Sequence, residues 1–503
     1  MITLKKQIFL FSFLFLFNCG TSLKPEKQDV AKVILSDSNS FFYLDVQHYP
    51  RDKKGLPVGV FDSGTGGLAV LDNIINIDAY ENKSHNPLPA GDGLKDFQKE
   101  YFIYLGDQAN MPYGDYSREN NITLLKEHIL KDMQFLLGNK YYLSGDAKYF
   151  QTDKKPVKAI VIACNTATAY GKKDIEDFIG KAGLKIKVIG VIDAAARAAT
   201  RLFENESATV AVMATAGTVT SGGYVAALKA QMQTKPSSEI AIYQQAGIGL
   251  AGAIDGSVEY IAPDAVKPRD GYKGPSEKHP DAPIDMSILN RYGFDWENHK
   301  MLFAGDSENP ENIQINSVEN YISYHLVSLL EKIRTNHEKK PLKAIILGCT
   351  HYPFYRDIFE KKLKWLYNYQ ESGKYIYRPF MARRIELVDP AKNTAKELYE
   401  YLRKSDLFTN NDLSESEFYI SVPNKLNKGV QLDSAGNFTY EYKYGRKAGD
   451  IQQYVKRVPF SKKSISPDIV YRLSEKVPET FRLISTFDRT NPKTSSLKVS
   501  DRF

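Results

Sequence analysis

The chain has 503 residues, of which 42% are hydrophobic, 12% aromatic and 25% charged, and its formal net charge is +7. This composition excludes wholesale disorder, and the length suffices for about two to four domains. Because the basic residues are scattered and no internal stretch is long and apolar enough to cross a bilayer, nucleic-acid binding and a membrane-embedded fold are both disfavoured.

The N-terminus has the organisation of a signal peptide. A short basic region precedes the apolar residues 8–17, a run too short to span a bilayer. Cys19 follows at lipobox distance, although Asn18 departs from the usual small residue. We therefore expect residues 1–19 to be a lipoprotein-type signal peptide with lipid on Cys19, residues 20–56 to be a polar tether, and the protein to be anchored in a bacterial envelope. The alternative is an ordinary cleaved signal with an incidental cysteine.

Residues 58–69 predict a strand that enters a glycine-rich turn and then a helix. Such turns let backbone amides approach an anion, so the segment fits a dinucleotide-binding fingerprint. Asp62 counts against this interpretation, because a carboxylate just before the first glycine would repel a pyrophosphate. The acidic residue that would bind a ribose at the end of a second strand, about twenty residues further on, is also missing. Asp62 beside Ser63 suits a substrate that carries an ammonium group. A purely structural turn stays open at this point.

A second loop follows the next predicted strand, residues 101–105. It runs from Asp107 to the triplet Pro112, Tyr113 and Gly114. The triplet predicts a turn first, and its functional interpretation is a loop whose backbone meets a substrate.

The three cysteines, Cys19, Cys164 and Cys349, are too few for a disulfide framework. Residues 158–166 and 343–351 match each other. Each is an apolar, β-branched run followed by a cysteine and by residues that can cap a helix. This repeat predicts two similar α/β halves, each with a cysteine at the carboxyl end of a strand, where open α/β sheets bind ligands.

The residues beside these two cysteines suit proton transfer. A thiol at a helix N-terminus has its thiolate favoured. Asn165, Thr166 and Thr350 can donate hydrogen bonds to a carboxylate. His351 can assist a reacting thiol. A lone buried cysteine is usually a small core residue, but two in matched contexts are harder to dismiss. A zinc site is disfavoured, because no cysteine and histidine residues have the close spacing of zinc ligands. A Cys–His hydrolase is also disfavoured, because it would use one cysteine and leave the second one unexplained.

The remaining pattern alternates strands with helices and predicts a doubly wound parallel sheet. Further strands are predicted at residues 187–191, 209–213 and 385–388, and helices at residues 121–137 and 317–333. Segments that look inserted are residues 79–96, 137–155 and 263–310, the last as a long loop or lid. The tail carries alternating runs at residues 418–422 and 438–444, so we expect a β-rich extension.

Taken together, the motifs resemble the cofactor-independent Asp/Glu racemases, and the glutamate racemases most closely. The four motifs are Asp62-Ser63-Gly, Asp107 to Gly114, Cys164-Asn165-Thr166 and Cys349-Thr350-His351. They occur in the family's order between about residues 58 and 398. The resemblance implies two facing α/β domains with a pseudo-two-fold relation, and no cofactor or metal.

The resemblance also implies the roles of individual residues. Cys164 and Cys349 would be the acid/base pair that interconverts L- and D-glutamate, with Cys164 serving the D-enantiomer and Cys349 the L-enantiomer. The residues expected to contact the substrate are Asp62, Ser63, Tyr113, Gly114, Asn165, Thr166, Thr350 and His351. Departures from the family pattern after Asp193 and within residues 244–256 leave aspartate or a broader specificity open.

The predicted domains divide the chain at several points. The first racemase domain comprises residues 57–192 with 387–404, the second residues 193–386 with an insertion at about 257–312, and the C-terminal extension residues 405–503. The rival functions are a nicotinamide-dependent oxidoreductase and a non-catalytic, ligand-binding lipoprotein on a racemase fold. An exported location conflicts with the family's place in cell-wall precursor synthesis, and the oligomeric state, monomer or homodimer, stays open.

Overall fold

The computed structural model describes residues 28–203, 206–233, 239–305 and 310–503, and it confirms the α/β class. The strands are β1 Val58–Asp62, β2 Phe102–Gly106, β3 Ala159–Ile162, β4 Lys187–Gly190, β5 Ala208–Ala214, β6 Ile240–Ala246, β7 Met301–Gly305, β8 Pro310–Ile315, β9 Leu342–Gly348, β10 Gln370–Glu371, β11 Lys374–Tyr375, β12 Met381–Val388, β13 Glu417–Pro423 and β14 Val455–Pro459. The helices are α1 Val30–Ser36, α2 Leu68–Asn76, α3 Gly114–Arg118, α4 Ile122–Leu137, α5 Asn165–Lys181, α6 Val191–Arg201, α7 Ala216–Ser221, α8 Gly223–Gln233, α9 Leu250–Ile254, α10 Leu289–Tyr292, α11 Val318–Thr335, α12 Arg356–Asn368, α13 Pro390–Lys404, α14 Tyr440–Gly445, α15 Pro467–Lys476 and α16 Pro478–Thr490.

The first sheet has the strand order β14-β13-β2-β1-β3-β4. Its strands β13, β2, β1, β3 and β4 are parallel, and β14 is antiparallel to β13. Every residue of β1, β2 and β3 is buried, as continuous apolar strands covered on both faces require. The chain leaves β1 toward β2 on one side and returns to β3 on the other, so a crevice opens at their carboxyl ends.

The second sheet has the order β12-β9-β5-β6 and is parallel throughout. Its first strand, β5, lies between β6 and β9, just as β1 lies between β2 and β3. Cys164 follows β3 and Cys349 follows β9, so the two cysteines occupy the same place in the two strand orders. The sequence repeat therefore predicted the matching topology, while the pseudo-two-fold relation between complete domains stays a prediction.

The segment before β1 differs from the expected tether. Val30, Ile34 and Phe42 are buried in the core of the first sheet, and the Tyr49 hydroxyl donates to the backbone oxygen of Val157 at 2.6 Å. These apolar residues dock the segment on that core. The tether prediction is therefore wrong for residues 28–56, which belong to the folded body.

The tail is also different from its prediction. Strand β13 extends the first sheet at β2, but α14, α15 and α16 make the tail more helical than β-rich. Most of the alternating run at residues 438–444 lies in α14 instead of a strand, and the Thr439 side chain caps this helix by accepting from the Tyr442 amide at 3.3 Å. The expectation of a β-rich extension is wrong for this reason.

The segments expected to be insertions pack onto the body. In residues 263–310, Ile284, Tyr292 and Phe294 are buried in the core of the second sheet. Helix α13 packs on α2 and α6, whereas β12 just before it belongs to the second sheet. The chain therefore returns to the first core close to residue 389, and the domain boundaries stay a prediction. No helix of the described ranges is long and apolar enough to span a membrane.

The packing of the tail predicts its contribution to stability. Phe487 of α16 is fully buried against Phe418 and Tyr419 of β13. Phe487→Ala should lower the free energy of unfolding by about 3–5 kcal/mol, measured by denaturant titration. Tyr149→Ala, at a position 81% exposed, should change it by less than about 0.5 kcal/mol. Equal stabilities of the two variants would show that the tail does not share the core.

Candidate active site

One cavity of about 670 Å³ lies at the carboxyl ends of both sheets. Its walls come from the first sheet, from the second sheet and from α15 of the tail. The residues expected from sequence to form the site all line it, namely Asp62, Ser63, Tyr113, Gly114, Cys164, Asn165, Thr166, Cys349, Thr350 and His351. None of the described residues of the segment 257–312 does, so that segment does not act as a lid in this structure.

Asp62 is held by the glycine-rich turn after β1. Its carboxylate accepts from the Gly64 amide at 3.1 Å and the Gly67 amide at 2.9 Å. Gly67 must be glycine, since a Cβ there would lie 2.4 Å from the Asp62 Cβ. Burial raises the pKa of Asp62, and the amides oppose that rise. These amides are already engaged by a protein carboxylate, which counts against the dinucleotide-binding alternative.

Cys164 is the N-cap of α5. Its sulfur accepts from the Ala167 amide at 3.4 Å and lies 3.7 Å from the Ser63 hydroxyl. Burial, together with the nearby charge of Asp62, raises the pKa of Cys164 to about 12. The expectation that the helix N-terminus favours the thiolate of Cys164 is therefore wrong. Desolvation and a neighbouring carboxylate outweigh the helix, and Cys164 is a thiol.

Asn165 is oriented from the opposite side of the cavity. The Tyr224 hydroxyl, carried by α8 beside the second sheet, donates to Asn165 Oδ1 at 2.9 Å. The amide NH₂ of Asn165 is then left to donate toward the cavity. A side chain from the second half of the chain thus fixes the orientation of a hydrogen-bond donor in the first half.

Cys349 lies beside an imidazole. Its sulfur is 3.5 Å from His351 Nδ1, and His351 Nε2 is 3.4 Å from Asp255 Oδ1. Burial lowers the pKa of His351, but the hydrogen bond to Cys349 and the charges of Cys349 and Asp255 raise it more strongly, to about 9. His351 is therefore protonated at neutral pH and can donate a hydrogen bond to the sulfur.

Tyr113 lines the cavity, but its hydroxyl contacts two buried carboxyl groups. The hydroxyl is 2.7 Å from both Asp107 Oδ2 and Asp132 Oδ2. One hydroxyl hydrogen cannot serve two carboxylates, so one carboxyl must hold a proton. Burial and the charge of Asp107 raise the pKa of Asp132, which makes Asp132 that group. Contact between Tyr113 and a substrate would involve its backbone or ring, and not its hydroxyl.

The loop after β2 and the helix after β5 lie close together at two glycines. A Cβ on Gly217 of α7 would lie 3.3 Å from the Gly114 Cα. Gly114 begins α3, so this contact brings the loop after β2 against the helix after β5. Larger residues here would push the walls of the cavity apart.

Sequence patterns missed the part of the site that the tail supplies. Ile469, Arg472, Leu473 and Lys476 of α15 line the cavity, and Arg472 pairs with Asp255. A helical spacing is visible in these residues, but nothing in it says which surface the helix would cover. Within the described ranges no group of three or more His, Cys, Asp or Glu side chains is arranged to hold a metal ion.

Comparison with known proteins finds several glutamate racemases that are similar to this chain. No family model matches the chain. It is 26% identical to a glutamate racemase of Lactobacillus johnsonii over 352 residues, covering 70% of this chain and 83% of the relative. It is 35% identical to a glutamate racemase of Oceanobacillus iheyensis over 172 residues, covering 34% of this chain and 46% of that one. A Bacillus anthracis glutamate racemase structure aligns at 20% identity with a TM-score of 0.41, covering 73% of this chain and 87% of that one.

The raised pKa of Cys164 predicts its reactivity. Alkylation of Cys164 in the ligand-free protein should rise about tenfold per pH unit between pH 7 and 10, because only the thiolate reacts and its fraction grows tenfold per unit below the pKa. Asp62→Asn should speed the reaction at pH 9, since it removes a charge that opposes the thiolate. Peptide mass spectrometry measures both rates.

The matched control is Asp115→Asn, which removes a carboxylate of the cavity wall that pairs with Arg118. It should leave the Cys164 rate unchanged. A rate that is flat between pH 7 and 10 would mean that Cys164 is already a thiolate.

Proposed function

We propose that this chain, an isomerase of the Asp/Glu racemase family, interconverts L- and D-glutamate by proton transfer between Cys164 and Cys349. The observation that carries the proposal is that these two thiols, each at the end of a strand in its own sheet, line one cavity. Both are free. The glutamate racemases to which the chain is similar support the substrate, and aspartate or a broader amino-acid specificity is the second candidate.

The reaction needs one thiolate and one thiol on opposite faces of the substrate. In the direction from L to D, the Cys349 thiolate takes the α-proton as the Cα–H bond breaks and leaves its electron pair on the carbanion. The Cys164 thiol then gives its proton to the other face. The sulfurs end with exchanged protonation states, from which the reverse reaction starts.

The ligand-free site supports this starting state. Cys164 is a thiol because burial and Asp62 oppose its charge. His351 Nδ1 lies 3.5 Å from the Cys349 sulfur, where a protonated imidazole can donate a hydrogen bond to it. The site is therefore asymmetric, with a carboxylate beside Cys164 and an imidazole beside Cys349.

The substrate would change that asymmetry through its ammonium group. Buried Asp62 is the carboxylate beside which we place the ammonium, and its charge would then no longer oppose a thiolate at Cys164. Donors from Asn165, Thr166 and Thr350 would hold the α-carboxylate and stabilise the negative charge that develops on it in the transition state. The same groups thus bind the substrate and lower the barrier.

The rival functions fit the site less well. A nicotinamide cofactor would need the amides that Asp62 occupies. A non-catalytic binding protein would need neither the second thiol nor the imidazole beside it. A racemisation assay separates these functions directly.

Purified protein should racemise glutamate in buffer that contains no pyridoxal phosphate, nicotinamide or added metal, as followed by chiral chromatography. Cys164→Ser and Cys349→Ser should each lower the rate by at least about 10²-fold, because a serine hydroxyl is far less acidic than a thiol. Each variant should still exchange the α-proton of only one enantiomer with deuterated water, since one base survives: Cys349 with the L-enantiomer and Cys164 with the D-enantiomer.

Thr209→Ser is the matched control. Thr209 is buried at the start of β5, away from the cavity, and its hydroxyl donates to the Lys340 backbone oxygen. It should keep full activity. Racemisation by both cysteine variants at the wild-type rate would refute the two-base mechanism.

Cys19 and the signal peptide lie outside the described residues, and we propose that Cys19 carries lipid and that the protein is exported. The sequence pattern of an apolar run followed by cysteine supports this proposal. Because folded structure already begins near residue 28, such an anchor would hold the body close to the membrane. Labelling with a fatty-acid analogue should mark the wild type and not Cys19→Ala, and equal labelling of both would contradict lipidation.

A further inference from the structure

We infer that Arg472 of the C-terminal extension is a positioning residue of the active site, which acts through Asp255 on the His351–Cys349 pair. The inference rests on the proposed racemase function, which it deepens by making the extension part of the site. Three observations on position, contact and charge carry it.

The first observation is the placement of α15. Ser466 caps the helix by accepting from the Ile469 amide, Pro467 occupies its first turn, and Pro478 begins α16 after it. The helix residues that line the cavity recur at the spacing of one helical face: Ile469, Arg472, Leu473 and Lys476. The helix therefore presents a single face to the active site, with apolar and cationic residues on it.

The second observation is a chain of contacts. Arg472 Nη1 lies 2.5 Å from Asp255 Oδ1, and the same oxygen lies 3.4 Å from His351 Nε2. His351 Nδ1 in turn lies 3.5 Å from the Cys349 sulfur. Arg472 belongs to the tail that extends the first sheet, whereas Asp255 and His351 follow strands of the second. The ion pair therefore crosses the cavity between the two sheets.

The third observation concerns charge. The ionisable groups that act on His351 are Cys349 and Asp255, which favour its protonated form, and Arg472, which opposes it. Arg472 shares the negative charge of Asp255 with the imidazolium and fixes the carboxylate in place. Arg472 thereby limits the rise in the pKa of His351. The imidazole can then still lose and regain its proton when the protonation of Cys349 changes.

A purely structural role makes a different prediction. Arg472 is 37% and Asp255 26% exposed in their side chains. A partly exposed pair that only held the helix would contribute little to stability, about 0–1 kcal/mol, and its loss would leave kcat/KM and its pH profile unchanged. The titration and the pH profile of kcat/KM together separate the two roles.

The test follows the His351 ring by NMR in the full chain, with its signal identified by its absence in His351→Gln. Arg472→Gln should raise the pKa of His351, because Asp255 then interacts with the imidazolium alone, and Asp255→Asn should lower it. Arg472→Lys should lie close to wild type. In steady-state assays Arg472→Gln should lower kcat/KM about tenfold and shift the high-pH limb of the kcat/KM profile to higher pH. Arg472→Lys should keep most of the wild-type kcat/KM and a pH profile close to that of the wild type.

Arg482→Gln is the matched control, since Arg482 is an exposed arginine on the next helix that pairs with Glu479. It should leave titration and rate unchanged. A His351 titration in Arg472→Gln that coincides with wild type overturns the inference, whatever the rate. If wild type lacks racemase activity, the proposed function fails, while the titration still decides whether Arg472 acts on His351. If Arg472→Gln does not fold, an unaltered titration in Asp255→Asn overturns the inference in its place.

Discussion

The site depends on one constraint, which is that two parallel sheets with the same strand order meet at their carboxyl edges. Each sheet places a thiol after the strand that neighbours its first strand, and the close approach of Gly114 and Gly217 brings the two edges together. Neither edge forms the cavity alone. The pairing of Tyr224 with Asn165 shows the same dependence at the level of single groups, because the orientation of a donor on one sheet is set from the other.

The two thiols are equivalent in topology but not in electrostatics. Asp62 is buried beside Cys164, whereas a protonated imidazole lies beside Cys349. Topology alone would give two interchangeable cysteines. The proposed two-base reaction needs one sulfur to be protonated while the other is not. The unlike neighbours of the two thiols favour such a difference. Binding of an ammonium group near Asp62 would offset the charge that opposes a thiolate at Cys164, as the reverse reaction requires.

The sequence predicted what local patterns encode. Buried parallel strands are continuous apolar runs, so β1, β3, β5 and β9 were recognisable, and the residues after them lined the cavity as expected. Strand β6 was missed because its apolar run is interrupted by Gln244 and Gln245. The buried amide of Gln245 lies 3.2 Å from the His325 ring nitrogen, a tertiary contact that no local pattern announces.

The elements that the sequence misjudged share one physical reason. The segment 28–56 and the helix α15 carry apolar residues, but which surface those residues cover is decided by distant parts of the chain. An aromatic run such as residues 438–444 alternates like a strand, yet a single capping threonine starts a helix there. Electrostatic roles are equally hidden, since Arg472 gains its importance only from a carboxylate far away in sequence.

The tail reaches the site on both sides, and this explains why it cannot be an independent appendix. Arg457 of β14 pairs with buried Asp132 at 3.1 Å, directly beneath Tyr113, and Arg472 pairs with Asp255 across the cavity. Asp132 is fully buried and adjoins Asp107, and it is the protonated member of that pair. Arg457 therefore offsets the one negative charge that the two neighbouring acids carry in a dry interior. The tail therefore packs into the body of the first sheet through Arg457 and reaches the second sheet through Arg472, so the same extension contacts both halves of the site.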